Sequence, residues 1–159
     1  MLHHKTQLND LTLYFENITV NKASAIDYEA RLVEFNSLSE CKAVFNNLRI
    51  VLKQNNQTIF DTEQNSYENL DFDIALKIYK NIKKELCLSD DEIQEFSDTL
   101  LRYFADKQHE KMPLEVIIAQ NIINKTTALS LAELENMNIK KYEKIQIAIK
   151  KILDKTKED

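Results

Sequence analysis

Glycine is missing from all 159 residues, where average usage of about 7% would place roughly 11. Hairpin turns of types I′ and II′ need positive φ, which glycine supplies most cheaply. Dinucleotide fingerprints and P-loops need glycine so that backbone can approach phosphate. The absence excludes those nucleotide motifs and argues against a sheet-rich fold, although asparagine can replace glycine at some turns and helix ends. Proline occurs once, at Pro113. Arginine stands only at 31, 49 and 102, so lysine supplies 18 of the 21 basic residues. Together with abundant Asn and Ile, this points to an A/T-rich genome.

Cysteine is almost as scarce. Cys41 and Cys87 form no C-x-x-C and no disulfide framework; each falls within an apolar helical pattern and reads as a small buried hydrophobe. No apolar run approaches the ~18 residues of a spanning helix. No basic segment followed by an apolar one opens the chain. The cytoplasm, or a host cell interior for a phage or viral product, is therefore the expected location, without a membrane.

What is present is ordinary globular material. Hydrophobic residues make up 43% and charged residues 30%, with a net charge of −5. That is enough apolar side chain for a core without metal or disulfide. The acid balance argues against bulk nucleic-acid binding.

Helical periodicity dominates the chain. Leu8, Leu11, Phe15 and Ile18 share one helical face, although Leu11, Leu13 and Phe15 also alternate as in a strand. A second helix is expected over 23–35. Ser37 and Glu40 make a capping box for a third, whose stripe runs Leu38, Cys41, Phe45, Leu48 and Leu52. Residues 55–69 are a polar interruption. Asp71 or Asp73 opens a helix with Ile74, Ile78, Ile82 and Leu86 stacked on it, and Ser89 opens the next, with Ile93, Phe96, Leu100, Tyr103 and Phe104 inward. Pro113 suits the first position of a helix over 113–124 that is apolar nearly all round, hence central. Ser130 and Glu133 cap a short helix, and a last one covers about 139–155. The expectation is a single all-α domain over 1–159, an orthogonal bundle of seven or eight helices. Subdivision would fall at the loop 55–69, and a minor β-hairpin has room near 11–20 or 48–61.

Two constellations could carry function. Across 140–157 seven lysines face only Glu143 and Asp154, a local balance of +5 in an acidic chain. Lys140, Lys144, Lys151 and Lys155 fall within about 60° of one another on a helical wheel, opposite Tyr142, Ile145, Ile149 and Ile152. With the short helix before it, this segment has a helix-turn-helix outline, in which a basic second helix meets phosphates. It lacks an arginine for guanine. The plain alternative is a solvated lysine face. Ile147, near the lysine side, is expected to be exposed and to mark a contact surface.

The other constellation is Arg102 and His109, seven apart and hence on one helical face. An Arg and a His at such spacing resembles the HEPN ribonucleases, all-α proteins that cleave RNA in a dimer cleft. The resemblance covers eight residues and implies His109 as acid–base and Arg102 as phosphate stabiliser. In this sequence Tyr103 follows the arginine where a polar residue is typical. Asp98, Arg102 and Asp106 at i,i+4 spacing read more simply as an ordinary salt-bridged exterior, whose negative surround would repel RNA.

His3 and His4 lack a metal-ligand set, the Asp90–Glu92 cluster lacks calcium-loop spacing, and no catalytic triad stands out. No metal, cofactor or evident enzyme chemistry is implied. The leading expectation is a small helical protein-interaction module, a regulator, inhibitor or adaptor, phage- or mobile-element-encoded in keeping with its composition. A nucleic-acid-binding regulator using 130–157 is the alternative, and an HEPN-like ribonuclease the third.

Overall fold

The structure is a computed structural model that describes residues 2–64, 67–108, 111–126 and 131–158. Among them are four β-strands and seven α-helices in two compact units, Met1–Leu86 and Cys87–Asp159. The fold is α+β, not an all-α helical bundle.

In the first unit β1 (Leu2–Leu8) and β2 (Leu11–Glu16) form an antiparallel hairpin. Two helices follow, α1 (Val20–Arg31) and α2 (Leu38–Phe45), before the chain returns as β3 (Ile50–Gln54) and β4 (Gln57–Asp61). The sheet order is β1-β2-β3-β4, antiparallel throughout. The helix α3 (Phe72–Lys84) completes the unit.

The segment 8–18 satisfies two periods, and the strand period wins. Leu11, Leu13 and Phe15 are all buried, whereas a helix would turn Leu13 away from the other two. The expected long third helix stops at Phe45. Asn47 closes it by donating its side-chain amide to the carbonyls of Ala43 and Val44, and the buried run Ile50–Val51–Leu52 continues as strand β3. Its branched side chains suit a pleated, buried surface.

The sheet forms without glycine because asparagine makes its turns. Both two-residue hairpin loops contain asparagine at positive φ: Asn9 at 58°, Asn55 at 52° and Asn56 at 65°. Asparagine tolerates the left-handed region better than other side chains. The polar interruption at 55–69 therefore holds a turn and a strand. Phe35 also sits at φ 58°, its ring stacked on Tyr79 with centroids 4.3 Å apart.

Helix starts follow the sequence more closely. Asp71 caps α3 by accepting the Ile74 N–H at 2.8 Å. Ser37 caps α2, but Glu40 reaches past the cap to accept the N–H groups of Glu34 and Asn36; the Glu34 bond leads in holding its carboxyl below the usual range. The first core is built on Leu13, Phe15, Phe45, Ile50, Leu52 and Phe60.

The second unit is helical: α4 (Asp90–Ala105), α5 (Leu114–Ile123), α6 (Leu131–Glu135) and α7 (Ile139–Glu158). Ser89 and Glu92 close a reciprocal capping box on α4. Ser130, the cap expected for α6, lies outside the described residues. The core joins Phe96, Leu100 and Tyr103 of α4, Val116 and Ala119 of α5 and Ala148 of α7. The two alanines are fully buried and let their helices approach closely. The expectation of an enclosed central α5 is not met: Val116 and Ala119 are buried, but Leu114 is 54% and Ile117 40% exposed. Cys41 is buried as expected, and burial pushes its thiol up; Cys87 is exposed.

Candidate interaction surface

The lysine row of α7 faces α4. Lys140 Nζ donates to both carboxylate oxygens of Glu92, at 2.9 and 3.0 Å. Lys144 places its ammonium over the Phe96 ring, 5.6 Å from the centroid. Lys155 does the same over Phe104 at 5.0 Å and donates to the Phe104 carbonyl at 3.2 Å. Between them on the same face lies Ala148, fully buried. The long aliphatic stems thus cover apolar surface while the heads reach a carboxylate, a ring face or a helix-end carbonyl. Glu143 binds in the same direction, accepting the Leu88 N–H at 2.9 Å.

This arrangement has an electrostatic cost and return. Glu92 already receives the Ser89 N–H, and the Lys140 hydrogen bond is the main cause holding its carboxyl below the usual glutamate value. Lys155 sits where α4 ends, where a positive charge opposes the negative end of the helix dipole. At least these two lysines have internal partners.

Ile147 is not the exposed residue expected from the helical wheel. It is half-buried against the core of the second unit, with Ile149 and Ile152. Flanked by α4 on one side and α5 on the other, α7 buries more of its circumference than a terminal helix on one neighbour would.

Arg102 lies in the last turn of α4, donating to the Thr99 hydroxyl at 3.4 Å. His109 lies outside the described residues. Helix α4 ends at Ala105, and Asp106 leaves the helix at φ −142°, ψ 83°. The span from Arg102 to His109 therefore runs past the end of α4 and out of the described residues.

Where α4 and α7 end, an open groove of 390 Å³ is lined by Leu101, Phe104, Ala105, Lys151, Asp154 and Lys155. Leu101 is 55% exposed on an ordered helix. A second recess of 190 Å³ shares Phe104 and Lys155 and adds Lys107, Gln120, Ile152 and Thr156. Sequence reasoning placed Lys151 and Lys155 on this surface and Phe104 on the buried side of α4, where it packs half-buried against the core, but overlooked Leu101. The signal was available: Leu101 lies off the stripe of Phe96, Leu100 and Tyr103.

Reasoning from sequence also missed a polar recess in the first unit, 260 Å³ in volume, lined by Glu16, Asn46, Asn47, Arg49, Thr62 and Glu63 among others. Arg49 there meets the buried Asp61 at 3.4 Å, and its Nε lies 3.4 Å from a Glu63 oxygen. Glu16 pairs with Lys22. The available signal was an arginine, one of only three, set between Leu48 and Ile50. Each of these charges is paired, Arg49 with two carboxylates and Lys22 with one, so the recess reads as a structural network. Among the described residues no group of three or more His, Cys, Asp or Glu side chains could hold a metal, and no helix is long and apolar enough to cross a membrane.

Compared with protein-family models, curated proteins and solved structures, the chain matches none. The functional reading therefore rests on its own residues.

Proposed function

We propose that this protein is a protein-interaction module, a regulator, inhibitor or adaptor without catalytic chemistry of its own, and that a partner docks on the groove between the ends of α4 and α7. The observation that carries the reading is the half-exposed Leu101 beside Phe104, in a recess of 390 Å³. Large apolar side chains held on rigid helices are what partner recognition uses. The exposed Leu114 and Ile117 on α5 lend the same unit further apolar surface. The nucleic-acid reading draws less support, because Lys140 and Lys155, two of the lysines it relies on, are engaged with Glu92 and Phe104.

The test is affinity capture from lysate of the source cell or its host, with nuclease present throughout. Wild type is compared with Leu101→Glu, an exposed change that leaves the core intact. A protein retained by wild type and lost with Leu101→Glu supports the reading. Retention that needs nucleic acid, or that ignores Leu101→Glu, overturns it.

A further inference from the structure

We infer that the groove takes an acidic segment of a partner protein anchored by one bulky apolar side chain, with carboxylates reaching Lys151 and its neighbours. This deepens the docking reading above and rests on it. The floor is apolar: Leu101, Phe104 and Ala105 present carbon to the recess. A recess of this size sits at the lower end of the range for small-ligand pockets, about 300 Å³ and up, enough for an anchoring side chain and not for an extended surface. The rim is basic. Lys151 and Lys155 line the groove, Lys107 lines the recess that adjoins it, and Asp154 is the one acidic lining residue. Between 150 and 158 the helix carries Lys150, Lys151, Lys155 and Lys157 against Asp154 and Glu158. In a chain whose net charge is −5, this end of α7 is a local positive exception, and charge complementarity sets orientation and partner choice.

A nucleic-acid strand fits the same surface poorly. It needs a continuous track of cations and open ring faces on which bases stack. Here Lys140, Lys144 and Lys155 of the row are already held by Glu92, the Phe96 ring and the Phe104 ring, which breaks such a track. A short peptide needs neither. It needs one apolar anchor and one or two carboxylates near it.

The experiment pans a phage-displayed library of random 12-residue peptides on the full chain, counter-selecting on Leu101→Glu. The expected result is at least threefold enrichment, over the unselected library, of sequences pairing a Leu, Ile, Met, Phe or Trp with two or more Asp or Glu within four positions. A synthetic peptide of the enriched class should bind at least tenfold more weakly to Lys151→Glu, and at least fivefold more weakly at 500 mM than at 50 mM salt. Exchanging its acids for lysines should restore binding to Lys151→Glu. Enrichment that depends on Leu101 without an acidic excess overturns this inference and leaves the docking reading standing. Enrichment indifferent to Leu101→Glu overturns both. Displacement of the peptide by an equimolar 20-nucleotide duplex or single strand reassigns the groove to nucleic acid.

Discussion

Lys140 and Glu92, 48 residues apart, meet through two hydrogen bonds of 2.9 and 3.0 Å. The same carboxylate accepts the N–H of Ser89 and closes the capping box of α4. One side chain thus fixes the first turn of α4 and the start of α7. Without Lys140 the carboxylate would keep its cap and lose the partner that tethers the last helix.

That pairing has a pH dependence of definite sign. The folded-state pKa of Glu92 lies below its usual value, chiefly through Lys140. The contribution is therefore present above the usual glutamate range and is lost as pH falls through the depressed pKa. Lys140→Met keeps most of the stem and removes the charge. It should lower stability at pH 7 by less than about 1 kcal/mol, because Glu92 is partly exposed and solvent screens the pair. At pH 3 the urea midpoints of wild type and Lys140→Met should converge. A difference that is unchanged or larger at pH 3 would show that the ion pair contributes nothing of its own.

The hairpin between β3 and β4 offers a second test. Asn55 and Asn56 hold φ at 52° and 65° between the paired Gln54 and Gln57, as a two-residue turn with both central residues left-handed requires. Asn56→Gly should stabilise the chain by about 0.5–1 kcal/mol, since glycine carries no penalty there. Asn56→Val should cost more than about 1 kcal/mol. Urea denaturation of the two variants reads both signs, and a tolerated valine would refute the turn.

Helix caps and core stripes were the legible part of this fold. Asp71 and Ser89 each accept a backbone N–H at the helix start the sequence marks, and Phe96, Leu100 and Tyr103 are buried together. The sheet was not legible, for two physical reasons. Leu8, Leu11, Phe15 and Ile18 fit a 3.6 period while Leu11, Leu13 and Phe15 fit a period of two, and only tertiary burial decides between them. Glycine scarcity then weighed against turns that asparagine in fact makes. For the candidate surface, a helical wheel groups the four lysines but does not show that Lys140 and Lys144 are held against α4, by Glu92 and the Phe96 ring. Ala148, in the middle of that row, is the residue that signals close approach of another helix. The end of α4 at Ala105 was not legible either, because the spacing of residues past it does not encode where the chain leaves the helix.

The Arg49–Asp61 pair sets up a double-mutant test of the first unit. Asp61 is 4% exposed. One of its oxygens lies 3.4 Å from the Arg49 guanidinium and the other accepts the Glu63 N–H at 3.0 Å. The Arg49 Nε is buried without a hydrogen-bond acceptor, so the guanidinium already has one imperfectly met donor. Asp61→Ala would strip away its buried countercharge and orphan the Glu63 N–H, at a cost of about 2–3 kcal/mol. Asp61→Asn keeps an acceptor for that N–H and should cost less. In Arg49→Met/Asp61→Leu both charges go, so the desolvation each imposes on the other disappears, and the double variant should lose less than the sum of its singles. Thermal and urea unfolding of wild type, Arg49→Met, Asp61→Leu and the double variant measures the coupling. Additive losses would mean that the two residues support the sheet separately, through Thr62 and the strand ends, and that the pair is incidental.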